Sequence, residues 1–275
     1  MFSRSQTRYF RSLKAVDQPL GSVQALVGPN ASGKTTVLDV LGLLSDLVRN
    51  RGDVRETIQS RSASFDKLIW QGPGDDKGQR GGFQIAVEAP IPESVRARMA
   101  DDKRQFTTVR YEIEIGFDAS TNEIGLDHET LWLRASGEDQ ISVQKDMFPM
   151  VPEDAPSIFV GTSKRGFKVV MKKTPGGNDN YYTEGAKSYA PSFRLGRTKL
   201  GLAHIPADEA SFPVSSWFRD MLEKGVQNVV LNSLIIRQPS PPGLGLRFQS
   251  NGSNLPWVVA ELRRDTQRFA AWLEH

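Results

Sequence analysis

The chain has 275 residues, 38% hydrophobic and 24% charged, with a formal net charge of +3 and a pI near 9.1. That length can bury a full core, as one large or two small domains, and the mild positive charge permits nucleic-acid contact without arguing for it. Zero cysteines exclude a disulfide framework and cysteine-based zinc sites and suit a reducing, cytoplasmic setting, and no run is long and apolar enough for a bilayer span or a signal peptide.

In chain order, Thr7 to Leu13 reads as a first strand, followed by a turn around Asp17-Gln18-Pro19-Leu20-Gly21. Val23-Gln24-Ala25-Leu26-Val27 reads as a short buried strand that feeds Gly28-Pro29-Asn30-Ala31-Ser32-Gly33-Lys34-Thr35-Thr36. This last segment fits G-x-x-x-x-G-K-[ST], and a helical run from Thr36 to Val48 follows it. Strand, glycine loop and helix together make the pattern a phosphate site. Glycines 28 and 33 allow backbone conformations closed to other residues, so that amide N–H groups converge on a phosphate. Lys34 is expected to reach the β- and γ-phosphates of ATP, and the Thr35 hydroxyl to ligate Mg²⁺. Pro29, Asn30, Ala31, Ser32 and Thr36 contribute mainly through backbone. Val37, Leu38, Val40, Leu41, Leu44, Leu47 and Val48 form an apolar stripe that reads as core, with Gly42 expected to pack closely on a sheet.

Residues 49–64 are polar and arginine-rich, and a glycine-rich surface loop spans 72–82. Beyond Phe83 the period changes to two. Val109, Tyr111, Ile113, Ile115 and Phe117 alternate with Arg110, Glu112, Glu114 and Gly116, which predicts a half-buried strand with a polar outer face. Thr130 to Arg134 returns antiparallel, and a hairpin is expected around Pro175-Gly176-Gly177-Asn178. A β-rich lobe therefore occupies roughly 80–200, after a strand–loop–helix core over 1–64. Over 201–275 the pattern predicts a helix from Val214 to Lys224, a strand from Val229 to Ile236 and a last helix from Leu255 to Leu273. Arg4, Arg8, Arg11 and Lys14 form one basic cluster and Arg263, Arg264 and Arg268 another; both read as solvated surface. His128, His204 and His275 lie far apart and show no ligand spacing.

The loop wording G-P-N-A-S-G-K-T-T resembles that of ABC-type ATPase heads of the SMC, RecF and OLD-like group. Tyr9-Phe10-Arg11-Ser12-Leu13 resembles the opening strand of those heads, and Asn251-Gly252-Ser253-Asn254-Leu255 a segment of their RecF-like members. The resemblance implies an α/β P-loop NTPase fold, an ABC-ATPase-like lobe with a large antiparallel β-rich subdomain. It implies ATP and Mg²⁺ as cofactors, Arg11 and Ser12 on the base or ribose side, and Gln71 as a Q-loop residue near Mg²⁺. It also implies a homodimer or head-to-head assembly, with DNA or a nuclease or other effector as partner, in DNA metabolism or phage defence.

The departures are as informative. The family's Walker B strand, four apolar residues followed by Asp-Glu, is missing, and so is an L-S-G-G-Q-like signature. Val229 to Ile236 runs into Arg237-Gln238 instead. The sequence thus reads as the N-terminal part of one head, expected to hold ATP and to turn it over only if completed by those motifs. The alternative is a regulatory subunit that senses nucleotide without hydrolysing it and controls a partner such as a nuclease. A GTPase is disfavoured, because the N-K-x-D segment that reads guanine is absent.

Overall fold

The structure, a computed structural model, describes residues 1–72, 81–136, 157–161, 165–185, 189–230, 232–246 and 248–273. Most of the glycine-rich loop expected at 72–82 lies outside those residues. The chain divides into two compact units, Met1–Gly225 and Val226–His275.

In the first unit, β1 (Arg4–Phe10), β2 (Leu13–Pro19), β3 (Gly82–Pro90), β4 (Phe106–Asp118), β5 (Glu123–Ala135), β6 (Phe167–Lys173), β7 (Asp179–Tyr181) and β8 (Ser192–Phe193) form one antiparallel sheet. Its order is β2-β1-β3-β4-β5-β6-β7-β8. The hairpin expected around residues 175–178 is present, joining β6 to β7. The β-rich region thus extends back to the N-terminus, because β1 pairs with β3 from Arg4↔Glu88 to Arg8↔Gln84.

The first turn falls at Arg11–Ser12 rather than at 17–21. Arg11 takes φ of 49°, the left-handed conformation a tight hairpin turn needs. Leu13 then restarts the ladder opposite Phe10, and Asp17, Gln18 and Pro19 remain in β2.

The β4 alternation is real, but its polar face is not exposed. Arg110 is buried and Glu112 is fully buried. Arg110 donates from Nε to Glu112 at 2.6 Å and from Nη1 to Glu88 at 2.9 Å and Gln6 at 2.7 Å. Trp132 Nε1 donates to the other Glu112 oxygen at 2.9 Å. Residues 157–161 lie over this face: Val160 N–H reaches Glu112 at 3.0 Å, and Arg110 Nη2 reaches the Ile158 carbonyl at 2.6 Å. The Phe159 ring stacks on His128 with centroids 4.1 Å apart.

On the opposite face sit α1 (Lys34–Arg49), α2 (Val54–Arg61), α3 (Glu93–Arg96) and α4 (Pro213–Asp220), which runs into a π turn at Met221–Gly225. Val40, Leu43, Leu44, Leu47 and Val48 of α1 are buried, each contributing roughly 1.5–3 kcal/mol. The stripe is incomplete at its start, where Leu38 is 65% exposed.

Phe212, at the N-cap of α4, provides no side-chain cap. Glu184 serves instead, accepting from Val214 N at 2.5 Å, Ser215 N at 3.1 Å and the Ser215 hydroxyl. Burial pushes the Glu184 carboxyl up to about 7, and these hydrogen bonds and Lys103 hold it down only in part. Its folded pKa lies above its ordinary 4.5, so its contribution to stability is full below the ordinary value and is lost as pH rises through about 7. Thermal denaturation from about pH 4.5 to 8 should show stability falling by roughly 3 kcal/mol from this group. Glu184→Gln should flatten that slope, and an unchanged slope in the variant would refute the assignment.

The strand expected at Val23–Val27 does not form. The backbone bends at Ser22 and Val23 and is irregular from there to Val27, and among the described residues none of these backbone groups has a backbone partner. Val23 and Val27 are each 93% exposed. Gln24 and Leu26 line a groove of about 240 Å³ with Phe2, Val37, Leu38 and Leu41. A segment apolar on both faces suits a strand buried between two neighbours, and among the described residues no strand pairs with it.

In the second unit, Ser233–Ile236 is helical where the sequence predicts a strand. Asn232 Oδ1 accepts from Leu234 N at 3.0 Å and Ile235 N at 3.4 Å, capping α5 (Ser233–Ile236). Such a cap starts a helix in preference to a ladder. The last helix is two, α6 (Leu255–Leu262) and α7 (Thr266–Leu273).

Candidate nucleotide site

The phosphate loop is built from the backbone outward. Ala31 and Gly33 have φ of 64° and 88°, and α1 begins at Lys34. Gly33 is the N-cap without a side-chain hydrogen bond, and no acidic residue occupies the first turn. The first amide bonded back into the helix is Val37 N–H, to the Gly33 carbonyl at 3.0 Å. The N–H groups before it and the positive end of the helix dipole therefore face the loop, an arrangement that suits an anion. Thr35 is exposed. Lys34 Nζ donates to the carbonyls of Gly28 at 2.8 Å and Pro29 at 2.6 Å, so its ammonium lies within the loop.

The β1–β2 hairpin closes on this loop. Ser12 Oγ is 3.0 Å from Thr36 Oγ1. A Cβ on Gly33 would lie 2.7 Å from Leu13 Cδ2 and 3.2 Å from Ser12 Oγ. Gly33 is thus required twice, by its left-handed φ and by this approach. Arg11 pairs with Asp39 of α1 at 3.0 Å.

Arg11 and Ser12 therefore adjoin the start of α1. Gln71 does not reach the loop by any direct contact: its side chain donates to the Asp66 carbonyl at 2.9 Å. Its backbone follows Trp70, whose N–H bonds to Tyr9 O at 2.8 Å beside the hairpin. Gly42, expected against the sheet, instead faces Arg61, 3.6 Å from its ideal Cβ. The basic clusters are largely paired, Arg4 with Asp17, Arg264 with Glu261 and Arg268 with Asp265. Asn251–Leu255 forms a turn in which Asn254 accepts from Gln249 N at 2.8 Å and donates to Gly245 O at 3.0 Å.

The donor set fits a nucleotide triphosphate: amides around a left-handed glycine, a lysine ammonium and a bare helix start. For Mg²⁺ the loop offers the Thr35 hydroxyl. No group of three or more His, Cys, Asp or Glu side chains that could hold a metal occurs among the described residues. Asp208–Glu209 ends no strand; Asp208 closes a turn by accepting from the Ser211 hydroxyl at 2.6 Å.

Residues 23–150 match the family described as "AAA domain, putative AbiEii toxin, Type IV TA system". A 60-residue stretch, 22% of the chain, is 42% identical to an OLD nuclease of Thermus scotoductus (strain ATCC 700910 / SA-01). The phosphate loop falls inside the stretch that resembles this AAA ATPase family. The stretch matched spans only 10% of the OLD nuclease, so the similarity reaches a small part of that relative's length. A solved structure from work on "ATP-driven dimerization and DNA stimulated activation of SMC ATPases" aligns with 49% of this chain and 69% of its own, at 18% identity and a TM-score of 0.32. Among the described residues no helix of the head is long and apolar enough to cross a membrane.

Proposed function

We propose that Gly28–Thr36 binds ATP with Mg²⁺, and that residues 1–275 are the N-terminal part of one ATPase head working in DNA metabolism or phage defence. The observation that carries the ATP reading is the uncapped start of α1 behind Gly33, with Lys34 beside it. Lys34 exchanges its two carbonyl partners for the β- and γ-phosphates. Thr35 turns its exposed hydroxyl to the Mg²⁺, which neutralises phosphate charge when bound.

Hydrolysis is a separate matter. The sequence holds no run of four apolar residues followed by Asp-Glu, so no side chain is assigned to polarise water. The unpaired Ser22–Val27 segment supports the same reading, because a phosphate-loop strand with bare valines on one side calls for further strands beside it. A head-to-head assembly, or a nuclease-type effector like the OLD relative, is the partner we assign, and DNA the polymer it serves.

Titration calorimetry with ATP–Mg²⁺ and a steady-state phosphate-release assay test this together. Saturable binding of one ATP per chain with negligible turnover is expected. Robust turnover by the purified chain, lost in Lys34→Ala, would overturn the half-site reading; absence of ATP binding would overturn the ATP reading itself.

A further inference from the structure

We infer that Arg61 is a positioning residue for the phosphate loop, acting through Asp39 on the hairpin tip at Arg11–Ser12. Arg61, on α2, is mostly buried, and its guanidinium grips two carboxylates of α1, Asp39 and Asp46. These lie two turns apart on one helix face. The second oxygen of Asp39 faces Arg11 Nη1 at 3.0 Å. That oxygen is buried and has no aligned hydrogen bond, so the Arg11 contact does not by itself orient the carboxylate; the fork from Arg61 does. Gly42 lies beside this junction, its ideal Cβ at ordinary contact distance, 3.6 Å from Arg61 Nη2 and 3.7 Å from Asp39 Oδ1.

The junction bears on the loop because Arg11 is the turn residue of the hairpin. Its neighbour Ser12 touches Thr36, and Leu13 packs under Gly33. Arg11 N–H is also tied to the Leu68 carbonyl at 2.9 Å, which anchors one side of the tip. Asp39 anchors the other. Freeing Asp39 lets the tip lift from Gly33 and Thr36, and the amides that face the phosphates lose their fixed geometry.

The inference rests on reading Gly28–Thr36 as a nucleotide site, and two readouts separate the two. One is ATP–Mg²⁺ affinity by calorimetry; the other is hydrogen exchange of the peptide containing Gly33–Thr36, without nucleotide. Arg61→Ala and Asp39→Asn are each expected to weaken ATP binding about tenfold and to speed that exchange. Asp46→Asn, which removes only the far grip, should do neither. Ser12→Ala added to Arg61→Ala should cost less than about twofold more, because both act through one tip. Equal effects of Asp46→Asn and Asp39→Asn would show that Arg61 merely ties α2 to α1 and overturn the proposal. So would unchanged exchange and affinity in Asp39→Asn, a variant that keeps the side-chain size. If the wild-type chain binds no ATP while exchange responds as expected, the positioning role stands and the ATP reading falls.

Discussion

Lys34→Ala is expected to lower ATP–Mg²⁺ affinity by more than about a hundredfold, roughly 3 kcal/mol, while leaving thermal stability nearly unchanged. The two halves of this result have separate causes. The Lys34 ammonium is the one side-chain cation within the loop, and its contacts there are to the Gly28 and Pro29 carbonyls and the Ser32 hydroxyl. Those groups are exposed and can return to water when the ammonium is gone, so folding loses little. The triphosphate, by contrast, loses its only charge-assisted contact from a side chain of the loop. Calorimetry on the variant, with thermal denaturation in parallel, checks both. A loss of affinity below about tenfold would mean that phosphate binding rests on the amides alone. A large fall in melting temperature would mean that Lys34 holds the loop together.

Arg110→Ala is expected to cost about 3–5 kcal/mol of stability, because it leaves Glu88 and Glu112 buried with too few partners. Glu112 keeps Trp132 Nε1 and Val160 N–H, at 2.9 and 3.0 Å, and Glu88 keeps Arg134 at 3.2 Å. The variant also loses the Arg110 bonds to Gln6 and to the Ile158 carbonyl, so residues 157–161 should loosen over the sheet. For a unit of this size the melting temperature should fall by roughly 10 °C. Circular dichroism during heating measures it, and a shift within about 2 °C would show that water replaces the guanidinium at no cost.

Much of the head is legible in the sequence. The phosphate loop, the helix behind it, the β4–β5 pairing and the hairpin near residue 176 all rest on local signals: glycine spacing, periodicity and turn chemistry. Those signals act over a few residues, and tertiary packing does not reverse them here. The strand at Val23–Val27 is different. Its residues favour a strand, but a strand exists only by pairing, and among the described residues no strand pairs with it. Val229–Ile236 has the same apolar run, yet the Asn232 cap makes its last four residues, Ser233–Ile236, helical.

The sequence by itself determined the chemistry of the loop, because Gly28, Gly33, Lys34 and Thr35 act through backbone freedom, charge and a hydroxyl that their identities specify. Tertiary structure alone decided what holds that loop in place. The fit of Leu13 against Gly33 and the reach of Arg61 to Asp39 join residues about 20 positions apart in the chain, and no local pattern marks them. The same is true of the polar face of β4. Alternation showed that it was polar, but the packing around it, with residues 157–161 across it, made it buried, and burial turns an ordinary surface of Arg110 and Glu112 into a network whose pairing the fold requires.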